Sequence, residues 1–213
     1  VQARPGIIPF VLLSYIIPSW DLESTKNSRI EGESLKESLE RGKIDLNTVN
    51  DYALKNAFDE AKIEYTKEDE EVIVYYVFEE AKTNLKVGDI IKEIDEIQIK
   101  DNETLINYVK NKNKGDKIVL KVIEGEKELI KEATIIKSEE NVSMIGIYLV
   151  NTVKINSNTK VVFKFNKNES GPSGGLMTAL DIYNKLTEED ITKGKKISGT
   201  GTITYDGNVG TIG

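Results

Sequence analysis

A serine in a turn rich in glycine and proline is the residue of this chain best suited to do chemistry. Ser173 is followed by an apolar run with helical spacing from Leu176 to Leu186. It therefore falls at or just before a helix N-terminus, where free N–H groups and the positive end of the helix dipole can hold an oxyanion. Serine is also a favoured N-cap, so an ordinary helix cap is the competing interpretation.

The composition limits which groups can activate this serine. The chain has no histidine and no cysteine, which rules out a Ser-His-Asp triad and a Cys-His pair. The base must then be a lysine, a carboxylate or a terminal amine. The same absences remove disulfides and the commonest metal ligands, and we expect no metal or other cofactor. A net charge of −7 argues against a nucleic-acid partner.

The middle of the chain has the pattern of a small antiparallel β domain with one helix. A β-branched and aromatic strand at 72–78 is followed by a turn and strand at 85–95, and Asn102 can cap a short helix. Two further strands, 117–123 and 128–136, form a hairpin. This order resembles a bacterial PDZ domain, and the stretch 85–91 (Leu-Lys-Val-Gly-Asp-Ile-Ile) carries most of the resemblance.

The PDZ resemblance implies that a peptide adds to a sheet edge beside the helix. The residues expected to form that groove are Val72, Ile73, Val74, Leu105 and Val109. The stretch 67–71 before the first strand has four acidic residues and no glycine, which disfavours capture of a terminal carboxylate there. Internal strand addition and a purely scaffolding role both stay open.

The serine turn belongs to a longer motif. Asn168-Glu169-Ser170 precedes it, and the runs 196–203 and 206–213 follow the helix. Together these segments look like the proteolytic domain of Lon-type serine proteases, and more narrowly like the bacterial, membrane-anchored, PDZ-containing members that lack the ATPase. No phosphate-binding Gly-x4-Gly-Lys-Ser/Thr motif is present in the sequence.

The Lon resemblance implies that Ser173 is the nucleophile of a Ser-Lys dyad. It places the dyad lysine just beyond Gly213, so residues 1–213 alone are expected to be inactive. The turn residues expected around the oxyanion are Gly171, Pro172, Gly174 and Gly175. Proline has no N–H, so the donors are expected at Ser173, Gly174 or a neighbouring strand.

We therefore expect an α+β fold, in which a discontinuous Lon-type proteolytic domain carries an inserted PDZ-like domain of small β-barrel or sandwich type. Residues 1–66 are the first part of the protease domain, 67–138 the PDZ-like domain, and 139–213 the half with the catalytic serine. A helix at 47–63 is expected to pack on 139–213. Strands are expected at 144–150, 161–165 and 197–204.

The first apolar run, 6–17, is shorter than the about twenty residues that cross a bilayer. We expect it to be a buried strand and helix segment that, with the rest of 1–66, packs on 139–213; contact with a membrane is the alternative. The resemblance implies a membrane anchor before Val1 and a position on the extracytoplasmic face of a bacterial membrane.

The expected function is ATP-independent endopeptidase activity on protein or peptide substrates that the PDZ module recruits. A PDZ scaffold with a degenerate protease fold is the alternative, and a structural subunit kept for oligomer contacts is a third. Self-association into a homo-oligomer stays open.

Overall fold

A computed structural model of the protein describes residues 8–20, 29–30, 32–68, 70–164 and 170–210. The chain divides into two units, residues 1–38 and 39–213. The helices are α1 Ile8–Ser14, α2 Leu35–Ala61, α3 Asn102–Lys110 and α4 Gly175–Leu186. The strands are β1 Thr66–Lys67, β2 Glu71–Val77, β3 Lys82–Thr83, β4 Ile90–Ile94, β5 Ile97–Gln98, β6 Lys117–Glu124, β7 Lys127–Thr134, β8 Ile136–Lys137, β9 Ser143–Met144, β10 Ile147–Thr152 and β11 Ile155–Asn156.

The first unit holds the apolar helix α1, and the expected burial of this segment is wrong. No residue of α1 is buried, and Ile8 and Leu12 are 78% and 62% exposed. Apolar side chains occupy nearly every position of this short helix, so no single surface can cover them all. Residues 1–7 lie outside the described residues. Within the described ranges, every helix is too short or too polar to cross a bilayer.

Helix α2 begins well before the predicted start near Asn47. Ser34 and Glu37 form a reciprocal cap: the Glu37 carboxylate accepts from the Ser34 N–H at 2.9 Å, and the Glu37 N–H donates to Ser34 Oγ at 3.3 Å. This capping box satisfies the N–H groups that a helix start leaves unpaired. The first turns carry little apolar periodicity, which is why the sequence pattern missed them.

The second half of α2 packs on the C-terminal part of the chain, as the sequence predicts. Phe58 is fully buried, and it shares a cluster with Leu54, Ala57, Val153, Ile155 and Ile182. Val49 and Ala53 pack against Ala179 of α4 and Ile203. These contacts fix α2 against α4 and against the extended segment near residue 203.

The main sheet has seven antiparallel strands in the order β10-β2-β4-β6-β7-β3, with β5 paired to β4. It closes around an apolar core together with α3, and the fully buried members include Val74, Ile94, Ile118 and Leu120. Strand β10 lies beyond residue 138, so the expected domain boundary there cuts through this sheet. The alternation of β-branched residues produces the strands, because one face of each must be buried.

Three local expectations differ from the structure. Asp101, not Asn102, is the N-cap of α3, and its carboxylate accepts from the Thr104 N–H at 2.7 Å. Residues 161–164 form no strand, and 165–169 lie outside the described residues. The segment 197–204 forms no strand, and among the described residues it contributes one isolated bridge, between Ile203 and Val209.

Candidate functional site

Ser173 lies immediately before α4 and is not its N-cap. Gly174 occupies the cap position with φ −90° and ψ −8°, and no side chain caps this end. The Ser173 side chain is exposed, and its hydroxyl has no hydrogen-bond partner among the described residues. The interpretation of Ser173 as an ordinary cap is therefore wrong, because a capping serine accepts from the second or third helical N–H.

Backbone hydrogen bonds hold the turn from both sides. Gly171 has φ +85°, which favours glycine, and its N–H donates to the Gly42 carbonyl of α2 at 2.7 Å. The Ser173 carbonyl accepts from the Gly201 N–H at 2.8 Å and from Thr200 Oγ1 at 3.0 Å. The serine backbone is thus fixed while its hydroxyl is left free.

The two glycines after Ser173 have different surroundings. A Cβ atom at Gly175 would overlap Val49 Cγ2 and lie 3.1 Å from Ile203 Cγ2, so close packing requires glycine there. A Cβ atom at Gly174 would meet no atom of the described residues within 4 Å. Gly175 therefore sets how closely α4 approaches α2, whereas Gly174 faces open space beside the serine.

The peptide N–H groups of Ser173 and Gly174 have no acceptor among the described residues. The next amide, of Gly175, donates to the Pro172 carbonyl at 3.2 Å, and that of Leu176 donates to the Gly201 carbonyl at 2.9 Å. Two unpaired donors at the start of a helix can stabilise a negative oxygen. Ser173 and Gly174 are two of the positions at which oxyanion donors are expected, a neighbouring strand being the third, and that role stays a prediction.

The described lysines do not provide a neutral base for Ser173. A lysine needs burial to lose its proton near neutral pH. Among the described lysines Lys131 alone is buried, and its ammonium is paired with Asp89 at 2.7 Å and Glu124 at 2.6 Å. As predicted, Lys193, Lys195 and Lys196 are exposed, and Lys185 pairs with Asp181 on the surface of α4.

A cleft of about 320 Å³ lies beside the serine turn. Helix α2, strands β2 and β10, the turn and the segment 202–204 all contribute to its walls. Its lining residues are Ile44, Asp45, Thr48, Val49, Tyr52, Tyr75, Val150, Asn151, Pro172, Thr202, Ile203 and Thr204. No sequence pattern indicates this cleft, because its walls come from five separated parts of the chain.

Asp45 is the acidic group of the cleft. The Tyr75 hydroxyl donates to Asp45 Oδ1 at 2.9 Å and lies 3.1 Å from Oδ2. Arg41 lies over the Tyr75 ring, 5.5 Å from its centroid, with Nη1 at 3.5 Å from the hydroxyl. Burial raises the pKa of Asp45, and the Tyr75 hydrogen bond and the Arg41 charge act in the opposite direction.

The residues predicted to line the PDZ groove do not form one. Strand β2 is paired on both sides, with β10 and with β4, so it has no open edge for a peptide. Val72 and Val74 are buried in the core. Leu105 and Val109 of α3 are buried there too, and Ile73 lies half-buried within β2. The prediction is wrong because it took the first strand of the domain for an edge strand.

Strand β10 is the edge strand on the α3 side. It pairs with β2, and among the described residues no strand lies beyond it. The loop that enters it reads Ile145-Gly146-Ile147, and Gly146 has φ +85°. A Cβ atom at Gly146 would lie 2.9 Å from Ala81 Cβ, so glycine is required. This apolar loop with its glycine is the sequence signal that the prediction overlooked.

Asn102 at the start of α3 bridges to this strand. Its Nδ2 donates to the Leu149 carbonyl at 3.3 Å, and its backbone N–H donates to Asn151 Oδ1 at the same distance. The Oδ1 atom of Asn102 is buried and has no partner among the described residues. The contact between α3 and β10 therefore holds a buried acceptor that has no partner among the described residues.

The comparisons with known proteins concern this middle region. A family profile described as a PDZ domain matches residues 62–135. The PDZ domain of the SdrC-like protein from Listeria monocytogenes is 28% identical, over 37% of this chain and 86% of that chain, with a TM-score of 0.35. The equivalent domain from Listeria innocua is also 28% identical, over 37% and 92%, with a TM-score of 0.36.

A protein of known structure from Geobacillus thermodenitrificans is 26% identical, over 38% of this chain and 98% of that chain, with a TM-score of 0.35. No curated protein sequence matches the chain. The family match spans α3 and the strands from β1 to β7. The chain therefore contains a PDZ-like domain of α+β type, built on a curled antiparallel sheet.

Proposed function

We propose that this chain joins a peptide-recruiting PDZ-like domain to the nucleophile of a Lon-like, ATP-independent serine endopeptidase. PDZ domains are modules that bind peptides or partner proteins. The observation that carries the catalytic half is the exposed hydroxyl of Ser173 beside two amides, none of which has a hydrogen-bond partner in the part of the chain that the structure describes. Nucleophile and oxyanion donors thus share one rigid turn.

In the proposed reaction Ser173 Oγ attacks the carbonyl carbon of a peptide bond, and its proton passes to a neutral lysine. The resulting oxyanion accepts hydrogen bonds from the N–H groups of Ser173 and Gly174. Collapse expels the amine, which takes the proton from the lysine, and leaves an acyl-enzyme. Water then hydrolyses the ester. Following the Lon resemblance, we propose that the lysine comes after Gly213, since none of the described lysines is both buried and free of an ion pair.

The test compares the full-length protein with its Ser173→Ala variant on casein and on fluorogenic peptides. We expect cleavage to fall by about 10³-fold or more, because the attacking atom is lost. Ser170→Ala is the matched control, since Ser170 is an exposed serine three residues earlier, and it should keep most of the activity. Full activity of Ser173→Ala would exclude Ser173 as the nucleophile. Cleavage by residues 1–213 alone would exclude a base beyond them.

A second candidate function is peptide recruitment without cleavage, which the open edge of β10 favours. We propose that the peptide adds to β10, with its C-terminus at the Ile145-Gly146-Ile147 loop. The acidic stretch at 67–71 does not bear on this loop, because Glu71 pairs with Thr152 at the far end of β10. Lys137 Nζ donates to Ser143 Oγ at 2.9 Å, two residues before the loop, and places a positive charge nearby.

Binding of matched peptides with free and amidated C-termini to the Ser173→Ala protein tests this arrangement. We expect amidation to weaken binding by about fivefold or more, because a charge-assisted hydrogen bond is lost. Amide shifts in a labelled sample should follow residues 145–149 and not 72–74. Equal binding of both peptides, or shifts centred on β2, would overturn the assignment to the β10 edge.

We also propose, from the Lon resemblance, that the protein works at the extracytoplasmic face of a bacterial membrane. A membrane anchor and self-association belong to the same proposal. Fractionation of cells that express the full-length protein, with protease protection of the PDZ-like domain, tests the location. Recovery of the protein only inside the cell would refute it.

A further inference from the structure

The cleft beside Ser173 has the size and charge of a pocket for one side chain of a bound peptide. Its volume of about 320 Å³ lies at the lower end of ligand pockets. Pro172 lines it and is the residue directly before Ser173, so the cleft lies next to the serine turn. The segment 202–204 also lines the cleft, and it follows Gly201, which is hydrogen-bonded to the serine turn.

The walls of the cleft carry a carboxylate and uncharged polar groups. Asp45 is the acid, and the hydroxyl- or amide-bearing residues are Thr48, Tyr52, Tyr75, Asn151, Thr202 and Thr204. The lining, all of it within the described ranges, contains no lysine or arginine. A cation entering this space would meet the Asp45 carboxylate, whose negative charge is partly offset by the neighbouring Arg41 outside the lining.

Asp45 keeps acceptor capacity for such a cation. Its carboxylate accepts a hydrogen bond from the Tyr75 hydroxyl. A carboxylate has about four lone-pair sites, so acceptor sites are left for a cation. Two hydrogen bonds hold the Asn151 side chain in place: Nδ2 donates to Glu70 Oε2 at 2.9 Å, and Oδ1 accepts from the Asn102 N–H. Arg41 contacts the Tyr75 ring and is not part of the lining.

We propose that this cleft is the pocket that selects a basic side chain, lysine or arginine, next to the peptide bond that Ser173 attacks, and that Asp45 is the residue that recognises it. This inference rests on the proposed endopeptidase function and adds its substrate class. The carboxylate-to-ammonium contact would be partly desolvated in the cleft, where a charge pair discriminates more strongly than on an open surface.

The experiment uses the full-length protein and peptides that differ at one position, with lysine, arginine, norleucine or glutamate before the cleaved bond. We expect kcat/KM for lysine or arginine to exceed that for norleucine by about tenfold or more. Asp45→Asn should bring the lysine-to-norleucine ratio to within about twofold of one. Asp51→Asn is the matched control: Asp51 lies on the same helix, is also partly buried, and does not line the cleft. Its ratio should match that of the parent protein.

A second variant guards against a folding defect in Asp45→Asn. Thr48→Lys places a cation one helical turn from Asp45 and should lower the lysine-to-norleucine ratio in the same direction. Thermal unfolding of each variant reports its folding. An unchanged ratio in a folded Asp45→Asn protein, or a parent preference for norleucine or glutamate, would overturn the proposal.

The basic-side-chain pocket can still be tested if the protein proves not to be an endopeptidase. In that case no peptide is cleaved, and binding of the same peptides is measured by fluorescence anisotropy with the parent protein. Tighter binding of the lysine peptide that is lost in Asp45→Asn would still support the basic-side-chain pocket. Equal binding of the lysine and norleucine peptides would reject it independently of catalysis.

Discussion

The backbone N–H of Gly171 donates a 2.7 Å hydrogen bond to the carbonyl of Gly42, and this bond joins the serine turn to helix α2. The side chain of Ser170 also lies close to Gly42. A Cβ atom at Gly42 would lie 3.0 Å from Ser170 Cβ and 3.3 Å from its hydroxyl. The position of the turn therefore depends on the absence of a side chain at residue 42.

Replacing Gly42 by larger residues should affect the stability of the protein and its peptide cleavage differently. Alanine improves helix propensity by about 1 kcal/mol, which offsets the cost of shifting Ser170. Gly42→Ala should then unfold within about 1 kcal/mol of the parent protein. Gly42→Val, with two further methyl groups, should move the turn and lower peptide cleavage by about tenfold or more, since small misplacements of catalytic groups are costly. Unaltered kcat/KM in Gly42→Val would show that this contact does not position Ser173.

The two glycines after Ser173 should respond in opposite ways to alanine. Gly175→Ala forces a methyl group into Val49 and should lower the free energy of unfolding by about 1–3 kcal/mol, the usual cost of overpacking. Gly174→Ala meets open space and should stay within about 0.5 kcal/mol of the parent protein. Chemical denaturation of both variants checks this pair. Equal stability would mean that α4 and α2 can separate at no cost.

Asp51 should make stability depend on pH. Burial raises its pKa to about 6, although a hydrogen bond from the Ile155 backbone and the charge of Lys154 act against this. A raised acid pKa favours the protonated form in the folded state, so this contribution is complete below the unfolded pKa, near 3.8, and is lost as pH rises through about 6. After allowance for its partial exposure, we expect a loss of about 1–2 kcal/mol.

Thermal unfolding of the parent protein and of Asp51→Asn at pH 4.5 and pH 7.5 measures this effect. The variant should be the more stable of the two at the higher pH, and the difference should shrink at the lower one. The opposite ordering would show that the Lys154 interaction outweighs burial at this carboxylate.

Asn102 should restrain the open edge of β10. Its Nδ2 occupies the Leu149 carbonyl, which an added peptide strand would otherwise use. Asn102→Ala should strengthen binding of an internal peptide by about two- to tenfold, as expected for one hydrogen bond. It should change stability by less than about 1 kcal/mol, because the buried Oδ1 without a partner leaves at the same time.

Isothermal titration of Asn102→Ala, with Asn107→Ala as control, checks this prediction. Asn107 is an exposed asparagine of the same helix, so its replacement should leave affinity unchanged. Weaker binding in Asn102→Ala alone would instead identify Asn102 as a direct contact of the peptide.

Local sequence determined the elements that carry the candidate site. Helix α4 follows from the spacing of Leu176, Ala179 and Ile182, and the turn before it follows from glycine and proline. The hairpin of β6 and β7 follows from alternation on either side of Gly125. The absence of histidine and cysteine alone limited the chemistry open to Ser173. These features depend on neighbours within a few residues, which is the range that sequence patterns report.

Tertiary structure decided which parts of those elements are exposed and which face one another. Alternation marks β2 as a strand, but only its pairing with β10 and β4 shows that Val72 and Val74 are core residues. The edge strand is instead β10, whose position depends on pairing with residues 70 or more positions earlier. Asp45 gains its role in the same way: a carboxylate in a helix becomes part of a pocket only when Pro172 and Thr202 are folded against it. Such contacts are set by the closing of long loops around a common core, and no local pattern encodes them.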